Sequence, residues 1–303
     1  MPGKLWVETV KDAGKGWVDH KATRLAAAVA FYTLLSLAPL LVIAVAIAGR
    51  VFGEEAARGG LEQQLTELVG KDAAETLQQA VAKASEPKSG TLATVIGVVS
   101  LLFGASGVFG ELQDSMNTVW EVKPKADRGI WGIVKDRFLS FGMVLVVGFL
   151  LLVSLVVSAL VAGFSKYFDR VLPGVPWVPQ ALNLLAGFFV VALLFALLFK
   201  FLPDVKVGWP EVFFGAAVTS VLFAVGRYLI GLYLGKTGVG SPFGAAGSVV
   251  ALVSWVYYSS LILFFGVELT RAFARRMGTG AVADNADPMT SEAKAQQGMA
   301  PAV

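Results

Sequence analysis

Six long apolar runs separate the polar stretches of this sequence. They cover about residues 25–49, 91–113, 139–163, 181–202, 211–234 and 246–270. A hydrocarbon core of about 30 Å needs roughly 20 helical residues at about 1.5 Å each, and every run meets that length. We therefore predict an all-α, polytopic membrane domain with six transmembrane helices over residues 25–277.

Composition supports this prediction and restricts the chemistry. Of the 303 residues, 56% are apolar and 16% are charged, and the mean hydropathy is +0.69, which excludes a water-soluble enzyme. Cysteine is absent and His20 is the one histidine. This excludes disulfides, Cys/His metal sites and Ser/His or Cys/His nucleophile pairs. We expect no enzymatic activity, no metal, no cofactor and no nucleic acid partner; the expected partner is the lipid bilayer.

The basic residues set the expected orientation. With the amino terminus inside, 16 of the 25 Lys and Arg residues fall in inner segments and 8 in outer segments, with Arg227 inside a run. Basic residues are in excess on the cytoplasmic side of membrane proteins, so both termini are expected to be cytoplasmic. The first run is longer than the roughly 7 to 15 apolar residues of a secretion signal, which favours an uncleaved anchor.

The segment before the first run has a helical pattern. In residues 1–24, Trp6, Val10, Ala13 and Trp17 recur at spacings of one helical turn. The pattern predicts a cytoplasmic amphipathic helix. This helix lies either along the inner membrane interface or docked against the bundle.

Two further polar segments lie outside the runs. Residues 52–90 contain short amphipathic patterns and predict an external helical hairpin, which is either a spacer or a cap that recruits a ligand. Residues 278–303 have no hydrophobic periodicity and are expected to form a disordered cytoplasmic tail.

A polar stripe in the second run is the first functional candidate. Ser100, Gly104, Gly107, Glu111 and Asp114 share one helical face. The stripe is either a packing seam, in which Gly104 and Gly107 let a neighbouring helix approach closely, or the wall of a polar pathway that Glu111 faces.

The first and last runs hold further polar residues. Tyr32, Ser36 and Pro39 share a face of the first run, and Pro39 should kink the helix because it removes a hydrogen bond. The kink either lines a cavity or is structural. Tyr257 and Glu268 belong to a stripe of mixed polarity in the last run, where Glu268 either faces a pathway or forms an interfacial ion pair.

Two charged residues of the last two runs are also candidates. Glu268 is close in sequence to Arg271, and either Arg271 or Arg24 is its expected partner. Arg227 lies about 24 Å along a core of about 30 Å, so it either extends to the outer interface or faces a substrate. At that depth it should not pair with Glu111 or Glu268.

Four sequence segments together resemble the YihY/BrkB family of bacterial inner-membrane proteins. They are AAAVAFYTLLSLAPL at 26–40, LQDSMNTVW at 112–120, LPDVKV at 202–207, and FGAAG at 243–247 followed by WVY at 255–257 and GVEL at 266–269. The resemblance implies six helices in the cytoplasmic membrane and an activity that is not firmly established, with transport among the proposals. Some members were once labelled ribonuclease BN, but a metal-dependent ribonuclease needs several histidines.

Two functions from different classes remain open. The first is a transporter or exporter for a small solute or a lipid-like substrate. Its candidate polar pathway comprises Tyr32, Ser36, Glu111, Asn117, Arg227, Tyr257 and Glu268, with Pro39, Gly104 and Gly107 as packing or kink residues. The alternative is a scaffold that organises the cell envelope, without transport activity, and binds partners through the amino-terminal helix and the external hairpin.

Overall fold

A computed structural model describes the greater part of the chain. It covers residues 2–53, 91–124, 177–237, 247–277, 282–283, 286–297 and 299, with the single positions 75, 78, 79, 82 and 142. The helices are α1 (Pro2–Asp19), α2 (Ala22–Phe52), α3 (Thr91–Trp120), α4 (Trp177–Phe201), α5 (Trp209–Thr237), α6 (Gly247–Met277) and α7 (Ser291–Gln296). The strands are β1 (Val122–Pro124), β2 (Val205–Lys206), β3 (Val282–Ala283) and β4 (Ala286–Pro288).

Long helices cover five of the six apolar runs, namely those of α2 to α6. The run at 139–163 lies outside the described residues except for position 142. The hairpin predicted at 52–90 also lies outside them, apart from its first two residues and four single positions that are helical. Within the described ranges, Trp209–Leu229 and Val249–Arg276 are long and apolar enough to cross a membrane.

The helices pack around a core at one end of the bundle. Helix α2 packs against α3 and α6, α5 packs against α4 and α6, and α1 lies along α6. The core collects buried side chains from five helices, including Ala26, Val29, Met116, Val119, Phe199, Val212, Phe264 and Val267. This core brings the ends of α2, α3, α4, α5 and α6 together.

Helices α5 and α6 approach each other through two reciprocal glycines. A Cβ atom on Gly215 would overlap Oγ1 of Thr270, and a Cβ atom on Gly266 would overlap Oγ1 of Thr219. Each hydroxyl donates within its own helix, Thr219 to the carbonyl oxygen of Gly215 at 2.6 Å and Thr270 to that of Gly266 at 2.8 Å. Each threonine therefore fills the notch left by the other helix's glycine, the close approach that small residues permit between membrane helices.

The described residues within 278–303, which the composition predicts to be disordered, form strands β3 and β4 and the short helix α7. Strand β4 pairs antiparallel with β1 and places Pro288 opposite Val122, while β3 pairs antiparallel with β2. The buried side chains of Met289, Ala293 and Met299 form a small cluster. Strand pairing uses backbone groups, so a search for hydrophobic periodicity does not register it. The tail returns to the end of α3.

Candidate functional site

The turn between α1 and α2 buries the single histidine of the chain. His20 is 6% exposed and lies between two carboxylates from distant parts of the sequence. Its Nδ1 is 2.5 Å from Oε1 of Glu268 on α6, and its Nε2 is 3.3 Å from Oε1 of Glu121, directly after α3. Nε2 also lies 3.4 Å from Nη1 of Arg271. The two carboxylates favour the imidazolium form, which alone donates from both ring nitrogens.

Glu121 joins the histidine to three further cations. It forms ion pairs with Arg271 and Lys294, and its Oε1 lies 3.8 Å from Nη2 of Arg275. Arg271 in turn reaches Oε2 of Glu268 at 3.9 Å. We call His20, Glu121, Glu268, Arg271 and Lys294 the charge network. It connects the α1–α2 turn, the end of α3, α6 and the tail.

The contacts in the charge network shift the pKa of two groups. Burial alone would lower the pKa of His20, but hydrogen bonds to Glu121 and Glu268 outweigh it and raise the pKa above the ordinary 6.5. The hydrogen bond from His20, with further bonds from Lys294 and Arg271, holds the pKa of Glu121 far below its ordinary 4.5 although burial opposes this. Both shifts favour the ionised pair.

The stability of the folded protein should therefore have a maximum at mildly acidic pH and fall on either side of it. The contribution of His20 is complete below pH 6.5 and is lost as pH rises through its raised pKa, while that of Glu121 is present above pH 4.5 and is lost on acidification. We expect the thermal midpoint in detergent to be highest between these values and to fall on the alkaline side. Because His20 is the only histidine, His20→Gln should flatten that alkaline fall. A wild-type midpoint that stays constant from about pH 6 to 9 would contradict the assignment.

The backbone around the charge network has unusual features. Among the described residues, the non-glycine residues with positive φ are Lys21 at 52° and Glu121 at 56°. This left-handed conformation is unfavourable for residues with a Cβ atom and is often found at functional sites. A Cβ atom on Gly16 would come within 2.9 Å of Cδ of Glu268, so only glycine lets α1 pass this close to the carboxylate.

A polar cavity lies beside the charge network. It has a volume of about 170 Å³, and its walls come from the start of α2, the end of α3 and the tail. The lining residues are His20, Lys21, Arg24, Leu25, Glu111, Asp114, Ser115, Thr118, Gln297 and Met299. The α2 wall contains cations and the α3 wall contains carboxylates and hydroxyls, so the cavity suits a small ligand with charged or polar groups.

The stripe predicted on α3 has two different halves. Its glycines pack on α2, because a Cβ atom on Gly104 would lie 2.9 Å from Cγ of Pro39 and one on Gly107 would lie 3.2 Å from Oγ of Ser36. Its carboxylates, Glu111 and Asp114, line the cavity instead. The glycine half is thus a helix contact, and the acidic half is the wall of an open space.

The other predicted residues are dispersed. Ser36 is buried at the α2–α3 contact, whereas Tyr32 is 41% exposed. Asn117 donates from Nδ2 to Oδ2 of Asp204 at 2.9 Å and fixes the α4–β2 turn on α3. Arg227 is exposed on α5, and Tyr257 packs against the core. The structure therefore brings Glu111, Asn117 and Glu268 to the same end of the bundle, where Glu111 lines the cavity, and it places the remaining pathway candidates elsewhere.

Sequence reasoning missed three of the five residues of the charge network. It named Glu268 and its partner Arg271, but it also offered Arg24, which instead donates to the backbone oxygen of Gln297 at 3.5 Å. His20 served only to exclude catalysis, and Glu121 and Lys294 were not singled out. The sequence feature that could have indicated the charge network was the single histidine next to an apolar run. The described residues contain no cluster of three or more side chains suited to hold a metal ion.

Comparisons with a family model and with individual proteins agree on one family of membrane proteins. The sequence model of the family described as Virulence factor BrkB matches residues 13–290. A UPF0761 membrane protein of Pseudoalteromonas translucida is 24% identical over 84% of this chain and 81% of its own length. One from Alteromonas mediterranea is 28% identical over 83% of each chain, and one from Albidiferax ferrireducens is 27% identical over 87% of this chain and 62% of its own. No solved structure matches the chain.

Proposed function

Because this chain belongs to the BrkB family of membrane proteins, we propose that it is a transporter-like protein of the bacterial cytoplasmic membrane. Its substrate is a small polar solute or a lipid with a polar headgroup. Both termini lie inside the cell, and the cavity between α2, α3 and the tail is the inner vestibule. The observation that carries this proposal is the cavity itself, which places charged residues of α2 and α3 around an open space in an apolar bundle.

The position of the cavity supports a pathway along α2 and α3. Ionisable residues in membrane helices are costly unless they face water, a partner or a ligand, and Glu111 lines the cavity. Beyond Glu111, the pathway is closed where Gly107 meets Ser36 and Gly104 meets Pro39. Passage therefore requires α2 to move away from α3, and Pro39 provides a weak point in α2 because one backbone hydrogen bond is absent there.

The charge network is placed to respond to the occupant of the vestibule. His20 belongs to both, since it lines the cavity and contacts Glu121 and Glu268. A ligand that changes the position of His20 also changes the contacts that tie α6 and the tail to α3. The proposed cycle thus couples the vestibule to a set of ion pairs that break and form again.

The proposal is tested by movement of substrate across liposomes that contain the purified protein. Two probes separate the substrate classes: short-chain fluorescent phosphatidylethanolamine, bleached from outside by dithionite, reports lipid movement, and swelling in isosmotic glycine reports solute entry. We expect one of the two rates to exceed that of protein-free liposomes. Glu111→Gln should reduce that rate about tenfold, equivalent to about 1.4 kcal/mol in the barrier.

The matched control is Glu292→Gln, which removes an exposed carboxylate of α7 that does not line the cavity. It should leave the rate unchanged. Equal rates for wild type and Glu111→Gln, at equal thermal midpoints, would refute the role of the cavity. Rates that never exceed those of protein-free liposomes, with both probes, would refute the transport proposal.

A scaffold without transport activity is the second candidate, and the outward face of α1 favours it because that face contains exposed apolar residues. A scaffold role predicts that cells tolerate Glu111→Gln but not changes on the surface of α1. Complementation of a deletion strain with each variant separates the two candidates.

A further inference from the structure

Helix α1 has four strips along its length, each with a different chemistry. At 100° per residue, Thr9, Ala13 and Trp6 lie on one side. This side faces the bundle: Thr9 and Ala13 are buried, and the ring of Trp6 lies 5.0 Å from that of Phe214 and 6.0 Å from that of Phe273. The bundle thus covers this strip of the helix surface.

The next strip is apolar and exposed. Val7, Val10 and Val18 are 56%, 49% and 66% exposed and fall within about 80° of one another around the helix. Three exposed valines on one side of this helix are unfavourable in water, at about 25 cal/mol per Å² of apolar surface.

Beside the valines lies a strip of three exposed lysines, Lys4, Lys11 and Lys15. The fourth strip holds Glu8 and Asp12, which pair with Arg276 of the bundle. Nη1 of Arg276 is 2.6 Å from Oε2 of Glu8, and its Nε donates to Oδ2 of Asp12 at 2.9 Å. The pairing turns the negative charge of α1 toward α6, so the valine strip is bordered by positive charge.

We propose that this valine and lysine face of α1 binds anionic lipid headgroups at the surface of the membrane. Apolar side chains that enter the acyl boundary, flanked by lysines that reach the headgroups, are typical of helices that lie in the interface. The charge complementarity selects anionic over zwitterionic lipid, with a contribution of about fivefold to the insertion equilibrium for each lysine. This inference does not depend on transport.

The absence of cysteine from the chain permits a site-specific test. Val7→Cys is labelled with an environment-sensitive fluorophore, and the protein is placed in nanodiscs of phosphatidylcholine alone or with about one third phosphatidylglycerol. Quenching by acrylamide, which is uncharged, measures exposure to water. Leu5→Cys is the matched control, because Leu5 is also apolar and exposed but lies on the other side of the helix from the valines.

With phosphatidylglycerol we expect the Val7 label to become about threefold less accessible to acrylamide, and the Leu5 label to stay as it is. Lys4→Gln, Lys11→Gln and Lys15→Gln together should abolish the effect, as should about 1 M salt, which shortens the screening length to about 3 Å. Equal accessibility of Val7 in both lipids would overturn the proposal. Shielding in phosphatidylcholine alone, or shielding that rises with protein concentration, would also overturn it, since neutral lipid or a second copy would then be the occupant.

Discussion

Glu268→Gln should lower the thermal midpoint of the protein in detergent by about 10 °C, equivalent to about 3 kcal/mol for a domain of this size. Glu268 is 2% exposed, and its carboxylate contacts both His20 and Arg271, which is 4% exposed. The neutral amide leaves these two buried cations close together with one carboxylate fewer. Removing one partner of a buried ion pair is costly because the remaining charge has lost its solvation by water and its counterion.

A double-mutant cycle assigns this loss to the charge network. We expect His20→Gln to be destabilising alone, and the double variant with Glu268→Gln to lose less stability than the sum of the two by about 1 to 3 kcal/mol. Additive effects would mean that His20 and Glu268 do not interact in the folded protein. Differential scanning fluorimetry on the native tryptophans gives all four midpoints.

Gly266→Ala should be the second strongly destabilising change. The new methyl group would overlap Oγ1 of Thr219 and lie 2.9 Å from its Cβ and Cγ2 atoms. Thr219 cannot rotate away without losing its hydrogen bond to Gly215, so the two helices must separate. Overpacking of this kind costs about 1 to 3 kcal/mol, and the thermal midpoint in detergent should fall accordingly.

Two further variants make this test specific. Adding Thr219→Ala removes Oγ1 and Cγ2, two of the three atoms that the new methyl group meets, and should restore part of the lost stability. Gly110→Ala is the matched control, because a Cβ atom there meets nothing within 4 Å and alanine is the better helix former by about 1 kcal/mol. If Gly266→Ala is as stable as Gly110→Ala, α5 and α6 do not pack through this seam.

The length of the apolar runs predicts the long helices well, because a run of 20 or more apolar residues has few alternatives to a helix in lipid. The five runs within the described ranges coincide with α2 to α6. The apolar runs do not predict the two strand pairs. Val122 and Pro288 are 166 positions apart, and their pairing depends on backbone groups that meet only after α3 and α6 have packed.

Contacts in the site could be predicted where the two residues are near in sequence, and they could not be predicted where the residues are far apart. Glu268 and Arg271 are one helical turn apart, so their pairing follows from spacing. The contacts of His20 with Glu121 and Glu268 span 101 and 248 positions. They arise from the turn after α1 and from the close passage of Gly16 beside Glu268, neither of which leaves a periodic signal in the sequence.

The contacts of Glu121 also limit the number of times that the chain can cross the bilayer. His20 from the amino-terminal turn and Lys294 from the carboxyl-terminal helix α7 both contact this one side chain. If the chain spans the bilayer, two segments that meet at a single carboxylate lie on the same side of it, and the polypeptide between them would cross the lipid an even number of times. An odd number of crossings would place His20 and Lys294 on opposite sides of a hydrocarbon layer about 30 Å thick, far beyond the reach of any side chain.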